Sequence, residues 1–279
     1  MESKEYISGV FSRNAAAYRN RLEEALRKGE AAGRDAILDY LRVRPGMHVL
    51  DLACGPGTLS IPMARELSGN GEVIGVDLAE GMLETGRSAV AGRSLPLRFL
   101  RMDIENLQFP PATFDAVSCG HGLHFVPNLG RALREARRVL KPRCRFCASI
   151  PPADGMDPGP AQVAFAKAFN ARLGPSRPPP GLEATRALVG DLGRFRAAAL
   201  QAGFRYAETE QLTVQTTWAD AGHFVDVNAS WWANASRLEG LSDHVRQLVL
   251  AEALEAVKGV VGEGPITAPS TANVLKAEA

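Results

Sequence analysis

Apolar positions between residues 47 and 150 form short runs that alternate with stretches of helical spacing. Runs of about six residues rich in Val, Ile and Leu are typical of buried strands. Strands that alternate with helices predict a parallel sheet built from right-handed βαβ units. The predicted strands cover residues 48–53, 72–77, 97–102, 114–119 and 145–150, and the predicted helices cover 59–67, 80–90 and 129–140.

The pattern is less regular on both sides of this core. Residues 10–41 are rich in Ala, Leu, Arg and Glu and predict helix, with Gly29 and Gly33 as breaks. Beyond residue 150, apolar spacing three and four apart predicts helices, and alternation predicts two more strands. These are helices at 161–172, at 192–202 and from Ser242 onward, and strands at 205–216 and 271–279, with Pro/Gly-rich loops at 151–160 and 174–181.

Composition narrows the class of protein. The chain has 279 residues, 46% hydrophobic and 23% charged, with a net charge of +1, so one α/β domain over 1–279 is expected and no nucleic-acid partner. The N-terminus has no apolar signal region, and no stretch approaches the roughly 20 apolar residues that span a bilayer. Cys144 and Cys147 lie three apart on a predicted strand and point to opposite faces, which argues against a metal or redox pair. A cytoplasmic location follows as an expectation.

The turn after the first strand predicts a cofactor site. Ala53, Gly55 and Gly57 are small, so the backbone there can approach a ligand closely. A dinucleotide site would place a third glycine at position 60, which is Ser60. Asp51 would also repel a pyrophosphate, whereas it would attract the ammonium and sulfonium of S-adenosylmethionine (SAM). The charges therefore favour SAM over a nicotinamide dinucleotide.

Two further carboxylates follow the next two strands. Asp77 ends the second strand, where it can accept both ribose hydroxyls, and Asp103 ends the third, where it can accept from the adenine amine. Met82 and Ile104 offer apolar surfaces to the adenine ring. Each aspartate alone could be a solvated turn residue. Together with Asp51 they are expected to converge on one crevice.

These residues resemble a known family. Val49–Gly57 is similar to motif I of the class I SAM-dependent methyltransferases, and Val73–Leu78 with Met82-Leu83 to their ribose-binding segment. Asp103, Phe114–Val117 and Arg138–Pro142 resemble the branch of ubiquinone, menaquinone and natural-product methyltransferases. The resemblance covers about residues 47–150. Arg143-Cys144 departs from the glycine pair that usually follows Lys-Pro in the family.

The resemblance implies an architecture for the rest of the chain. We expect a doubly wound α/β fold with a seven-stranded, mostly parallel sheet whose last strand is antiparallel. Residues 1–41 would form an N-terminal helical lid that brings Tyr18 to SAM, residues 47–150 the cofactor-binding core, and residues 218–262, which hold three tryptophans, a cap over the substrate. Leu78 and Cys119 complete the expected cofactor-binding set.

His121 and His124 follow the fourth strand, where the family places residues that face the methyl acceptor. Methyl transfer needs mainly alignment of the nucleophile with the methyl carbon. A base is required only if the acceptor retains its proton, and histidine suits that role. Either histidine could equally have a structural role in holding the loop. A metal site is not indicated, because no third ligand lies at a useful spacing from the two histidines.

The sequence therefore predicts transfer of a methyl group from SAM to the O or C atom of a small, apolar or aromatic acceptor, such as a natural product or quinone-like compound. A SAM-binding cyclase or pericyclase on the same fold stays open as the alternative, because binding and transfer share residues. A homo-oligomer is also left open. A nicotinamide oxidoreductase and an arsenic methyltransferase fit less well, the first for the reasons given above and the second because several converging thiolates are lacking.

Overall fold

The computed structural model describes residues 2–152, 159–175 and 181–279. By internal packing the chain divides into two compact units. The first comprises Met1–Asp154, Pro179–Thr213 and Thr271–Ala279, and the second comprises Gly155–Pro178 and Val214–Ser270.

A seven-stranded sheet has the order β3-β2-β1-β4-β5-β7-β6. The pairs β1–β2, β1–β4, β2–β3 and β4–β5 are parallel, and β5–β7 is antiparallel, which confirms the predicted fold class. Leu50 of β1 lies between Ile74 of β2 and Val117 of β4, so the carboxyl ends of these strands share one edge. The strands are β1 His48–Leu52, β2 Glu72–Asp77, β3 Leu97–Arg101, β4 Phe114–Gly120, β5 Leu140–Ile150, β6 Tyr206–Trp218 and β7 Ile266–Glu278.

Helices pack on this sheet because each buries an apolar stripe. In α6, Ala132, Leu133, Ala136 and Val139 are buried, and the Asn128 side chain caps the helix by accepting from the Arg131 N–H. The helices of the first unit are α1 Glu2–Arg13, α2 Ala15–Arg27, α3 Ala32–Leu41, α4 Ser60–Glu66, α5 Glu80–Val90, α6 Leu129–Val139, α8 Glu183–Gly190 and α9 Leu192–Gln201.

The N-terminal region differs from its prediction in two respects. Helix begins at Glu2, well before residue 10, and Gly29 separates α2 from α3 with a φ of +67°. Gly33, however, lies inside α3 and does not break it. A Cβ on Gly33 would lie 2.8 Å from the Cβ atoms of Ser149 and Ala272, so this glycine lets α3 pack closely against the sheet.

Three other boundaries differ from their predictions, and the first is strand β7, which begins at Ile266 and not at residue 271. Strand β5 begins at Leu140 and not at Arg145, with Arg143 at a φ of +63° where the family usually has glycine. Helix α4 begins at Ser60, one residue later than predicted, because the turn after β1 extends further than expected. Helix α8 was not predicted. The four cysteines are free, and Cys147 is buried whereas Cys144 is half-buried, in line with their opposite faces.

The second unit is built from helices that pack around Phe165, Phe169, Phe224, Val249 and Val257. The predicted insertion between the last two strands is present as α10 Ala221–Ala229, α11 Trp232–Leu238 and α12 Asp243–Val261. Helix α7, Gly159–Leu173, belongs to the same unit, which the sequence pattern did not indicate. Across the parts of the chain that the structure describes, no helix combines the length and apolarity needed to cross a membrane.

Candidate active site

The turn after β1 is shaped by left-handed backbone at three positions. Ala53, Gly55 and Gly57 have φ values of +49°, +55° and +81°. A Cβ on Gly55 would lie 4.0 Å from the Met82 sulfur, the one nearby atom, so this side of the turn is open. A Cβ on Gly57 would lie 2.6 Å from the Phe99 ring, so this glycine serves packing beneath the turn.

Asp77, at the end of β2, ties two backbone segments together. Its carboxylate accepts from the Gly55 N–H at 2.9 Å and from the Ala79 N–H at 2.8 Å. Burial raises the pKa of Asp77, and the bonds from Ala79 and Gly55 act in the opposite direction. Asp77 therefore holds the glycine turn against the start of α5, and its carboxylate oxygens retain lone pairs for a ligand.

Asp51 is 1% exposed and lies beneath the same turn. Its carboxylate accepts from the Ser60 hydroxyl at 2.6 Å and the Ser118 hydroxyl at 2.7 Å. Burial raises the pKa of Asp51 to about 6, while these two bonds and the charge of Arg34 lower it. Asp51 therefore stays mostly ionised at neutral pH.

A cavity of about 100 Å³ lies at the carboxyl edge of the strands. It brings together nine of the residues predicted from the sequence. These are Tyr18, Ala53, Gly55, Asp77, Leu78, Met82, Asp103, Ile104 and His121.

The N-terminal helix forms one wall of this cavity. Lys4 pairs with Asp103 at 2.8 Å and with Glu105 at 3.0 Å, and Lys4 and Phe11 both line the cavity. The Phe11 ring meets the edges of Tyr18 and Phe125 at centroid distances of 5.7 and 5.2 Å. Lys4 carries no motif, so sequence reasoning had no signal for its pairing with Asp103.

A smaller cavity of about 20 Å³ adjoins the glycine turn, and Asp51 and Arg34 line it together. Arg34, in α3, is 6% exposed and was missed by the sequence analysis. Its Nη2 lies 3.4 Å from the Tyr18 hydroxyl, its Nη1 lies 3.5 Å from His121 Nδ1, and its Nε has no hydrogen-bond partner among the described residues. One signal in the sequence could have identified Arg34 as buried. It precedes Ile37 by three residues and Leu41 by seven, which places a charged side chain on the apolar stripe of a helix.

His121 is held in a left-handed conformation with a φ of +59°. Its backbone N–H donates to the Ser149 carbonyl at 2.7 Å, and its Nδ1 lies 2.9 Å from the Ser149 hydroxyl. A side chain at Gly122 would overlap Ala53, so this loop packs directly on the glycine turn. His121 reaches the cavity because of this strained backbone.

Four predicted site residues lie elsewhere than expected. His124 is 7% exposed in the 3-10 helix Leu123–Phe125 and does not line the cavity, because its ring packs on Phe125 at a centroid distance of 4.0 Å. Cys119 is fully buried in the core behind the cavity. Gly57 packs on Phe99, and Asp51 lines only the smaller cavity.

Comparison with known proteins finds similarity to methyltransferases over the region that contains the site. Residues 49–143 match the family model described as a methyltransferase domain. The demethylmenaquinone methyltransferase of Symbiobacterium thermophilum is 37% identical over 154 residues. The match covers 52% of this chain and 59% of that relative, so the chain spans little more than half of the relative's length.

Two solved structures are similar in fold. One is the crystal structure of a protein from Bacillus halodurans named as a putative methyltransferase. It superposes with a TM-score of 0.57 at 18% identity, over 88% of this chain and 98% of that one. The [4+2]-cyclase SpnF superposes with a TM-score of 0.54 at 18% identity, over 90% of this chain and 82% of that one. At these identities the likeness concerns the fold alone.

The matched region contains the glycine turn, Asp77, Asp103 and His121, which are the residues that the structure gathers around the cavity. The seven-stranded sheet supplies the framework that positions them. Residues 49–143 are therefore similar to a methyltransferase domain, both to the family model that matches them and to the demethylmenaquinone methyltransferase of Symbiobacterium thermophilum.

Proposed function

We propose that this protein transfers the methyl group of SAM to a small-molecule acceptor. The observation that carries the proposal is the pair of opposite charges on the smaller cavity, where Arg34 and Asp51 lie beside the glycine turn. A guanidinium and a carboxylate suit the carboxylate and ammonium of an amino-acid head group. A pyrophosphate would meet Asp51 unfavourably.

The residues present fit the remainder of the cofactor. Tyr18, Ala53, Gly55 and Gly120 line both cavities, so a ligand could extend from one to the other along the turn. The open side of Gly55 leaves room that a Cβ would fill. In this proposal Asp77 accepts the ribose hydroxyls, and Met82 and Ile104, which are buried, pack on the adenine.

SAM supplies an electrophilic methyl group on a positively charged sulfur. The chain's own contribution is to bind, orient and exclude water. We propose that residues 1–41 act as the lid, since Lys4 pairs with Asp103 and Phe11 packs on Tyr18 and Phe125. Helix α1 is also anchored to α5, where the Gly81 N–H donates to the Ser12 hydroxyl at 3.2 Å.

For the acceptor we propose an apolar, aromatic molecule of the quinone type, methylated on oxygen or carbon. The support is the name of the relative from Symbiobacterium thermophilum and the apolar lining that Ile7, Phe11 and Val126 give the cavity. We also propose that residues 218–262 form a cap over this acceptor.

The experiment is titration calorimetry with SAM, followed by transfer of the labelled methyl group to a short-chain prenylated 1,4-naphthoquinol. We expect SAM to bind and NAD not to bind. Binding of NAD without SAM would reject the proposed cofactor. Binding of SAM without transfer to the naphthoquinol, but with transfer to another hydroxylated aromatic, would reject only the quinone-type acceptor.

A further inference from the structure

The His121 ring is held at one nitrogen by two different groups. Nδ1 lies 2.9 Å from the hydroxyl of Ser149, in β5, and 3.5 Å from Nη1 of Arg34, in α3. Nε2 is the ring nitrogen left for a molecule in the cavity that His121 lines. The function of His121 depends on which nitrogen carries the proton.

The two neighbours of Nδ1 differ in what they can do. The Ser149 hydroxyl can donate or accept, whereas the Arg34 guanidinium can only donate. A proton on Nδ1 would point toward an N–H of Arg34, and an unprotonated Nδ1 would accept from both groups. The neutral ring is therefore stable with its proton on Nε2.

Charges around the ring also oppose its protonation. The pKa of His121 lies well below its ordinary value. Burial is the largest cause, and electrostatic repulsion from Arg34, His124 and Arg21 lowers it further. The residues that contact it directly, Ser149 and Arg34, bring no negative charge. An imidazolium would place a second cation beside Arg34, so the ring stays neutral over the physiological range.

We propose that His121 is a neutral hydrogen-bond donor, through Nε2–H, to an oxygen of the methyl acceptor, and that it does not act as a base. This inference rests on the proposed methyl transfer. It defines an acceptor class: a phenol, enol or hydroquinone that binds as its oxyanion, next to a ring whose other nitrogen lies 3.5 Å from the Arg34 guanidinium. A donated N–H stabilises that oxyanion, which a general base would not.

The bonds formed and broken balance without His121 gaining a proton. The acceptor loses its proton to solvent before or on binding, and its oxygen or ring carbon then forms the bond to the methyl carbon. The bond from carbon to sulfur breaks with its electron pair on sulfur, which becomes a neutral thioether. If a ring carbon is methylated, that carbon afterwards releases its own proton to solvent.

The first test is nitrogen NMR of the full-length protein labelled with ¹⁵N-histidine. We expect His121 signals of a neutral ring with the proton on Nε2, unchanged between about pH 5.5 and 8. A proton on Nδ1, or a titration in that range, would overturn the proposal. His121→Asn identifies the signals by their loss, and if it misfolds, substitution of the other four histidines identifies them by elimination. The test needs neither SAM nor an acceptor, so it stands apart from the proposed function.

Removing Arg34 should change the tautomer. In Arg34→Leu, the Nδ1–H form becomes accessible, and we expect the His121 titration to move toward higher pH. Arg21→Leu is the matched control, since Arg21 is also buried and its charge also lowers the pKa of His121, whereas the described contacts of Nδ1 are those with Ser149 and Arg34. A shift as large in the control as in Arg34→Leu would show that the charge alone, and not the contact, is responsible.

The second test separates donor from base in turnover. With the naphthoquinol acceptor, His121→Ala should lose about 10²-fold in turnover, the usual cost of one donor to a developing or bound oxyanion. His121→Asn keeps an N–H donor but has no basic nitrogen, so it should retain activity within about tenfold of the wild type. Equal loss in both variants, with SAM affinity unchanged, would indicate a base. Loss of SAM affinity in both would point to the cofactor site instead.

Discussion

The carboxylate of Asp77 accepts a 2.9 Å hydrogen bond from the backbone N–H of Gly55, which joins the end of β2 to the glycine turn after β1. One side chain therefore fixes the turn and faces the cavity. This dual role makes its removal informative, because structural and binding losses can be measured separately.

Asp77→Ala should weaken SAM binding by more than tenfold. The variant leaves ribose hydroxyls and the Gly55 N–H without their charged acceptor, at about 1.5–3 kcal/mol for such bonds. Titration calorimetry gives the dissociation constant. Asp115→Ala is the matched control, since Asp115 also accepts a backbone N–H, from His48 at 2.9 Å, but does not line the cavity. An unchanged affinity in folded Asp77→Ala would reject the ribose assignment.

Gly55→Val should abolish SAM binding and leave the chain folded. The new side chain would fill the open side of the turn, where the Met82 sulfur is the nearest atom. Valine at positive φ also costs about 1–3 kcal/mol. Gly92→Val carries the same strain at a φ of +74°, away from the cavity, and should bind SAM normally. Native affinity in Gly55→Val would exclude this turn as the site.

Lys4→Met should speed SAM dissociation if α1 is the lid. Lys4 bridges Asp103 and Glu105 at 2.8 and 3.0 Å with its side chain 20% exposed, so its loss leaves both carboxylates without this cation and detaches α1 from Asp103 at the cavity. Stopped-flow release of SAM is the measurement. Lys28→Met removes a surface pair with Glu24 and should leave the rate unaltered. Equal rates in both variants and the wild type would rule out a role for Lys4 in retention.

Trp231→Ala should raise the KM for the acceptor and leave SAM affinity unchanged if residues 218–262 cap the substrate. Trp231 is 40% exposed, so its removal should cost little stability, whereas the 8% exposed Trp232 belongs to the interior of the second unit. Trp232→Ala should lower Tm. An unchanged KM in Trp231→Ala would leave this tryptophan without a part in substrate binding.

His124→Phe should keep turnover within a few-fold of the wild type and alter the pH dependence of stability. Burial, followed by Arg186 and Arg34, lowers the pKa of His124 to about 3 in the folded state. Below about pH 6.5 the unfolded chain binds the proton more readily, so the stability of the wild type falls as the pH drops from 6.5 toward 3.

The slope due to His124 is at most about 1.4 kcal/mol per pH unit. Asp51, whose pKa is raised to about 6, acts in the opposite direction between its folded and unfolded values, so only the difference between wild type and variant is informative. Urea unfolding at several pH values measures it. Parallel curves would contradict the buried neutral histidine, and a large loss of turnover would restore His124 as a catalytic candidate.

The sequence by itself determined the sheet and the glycine turn. Buried runs such as Val49–Leu52 and Val73–Val76 have one stable environment, the interior of a parallel sheet, and local pattern is sufficient to identify it. The order of the strands brought Asp77 and Asp103 to one edge, as expected, because parallel strands end together.

Only the tertiary structure decided the charge partners of the site and the accessibility of its histidines. Arg34, Ser149 and His121 are far apart along the chain, and their meeting depends on how α3 packs on β5 through Gly33. His121 and His124 are three residues apart and equivalent in sequence, but the positive φ of His121 brings its ring to the cavity while the 3-10 helix buries His124. Such differences arise from packing across the fold, which the spacing of residues along one segment does not encode.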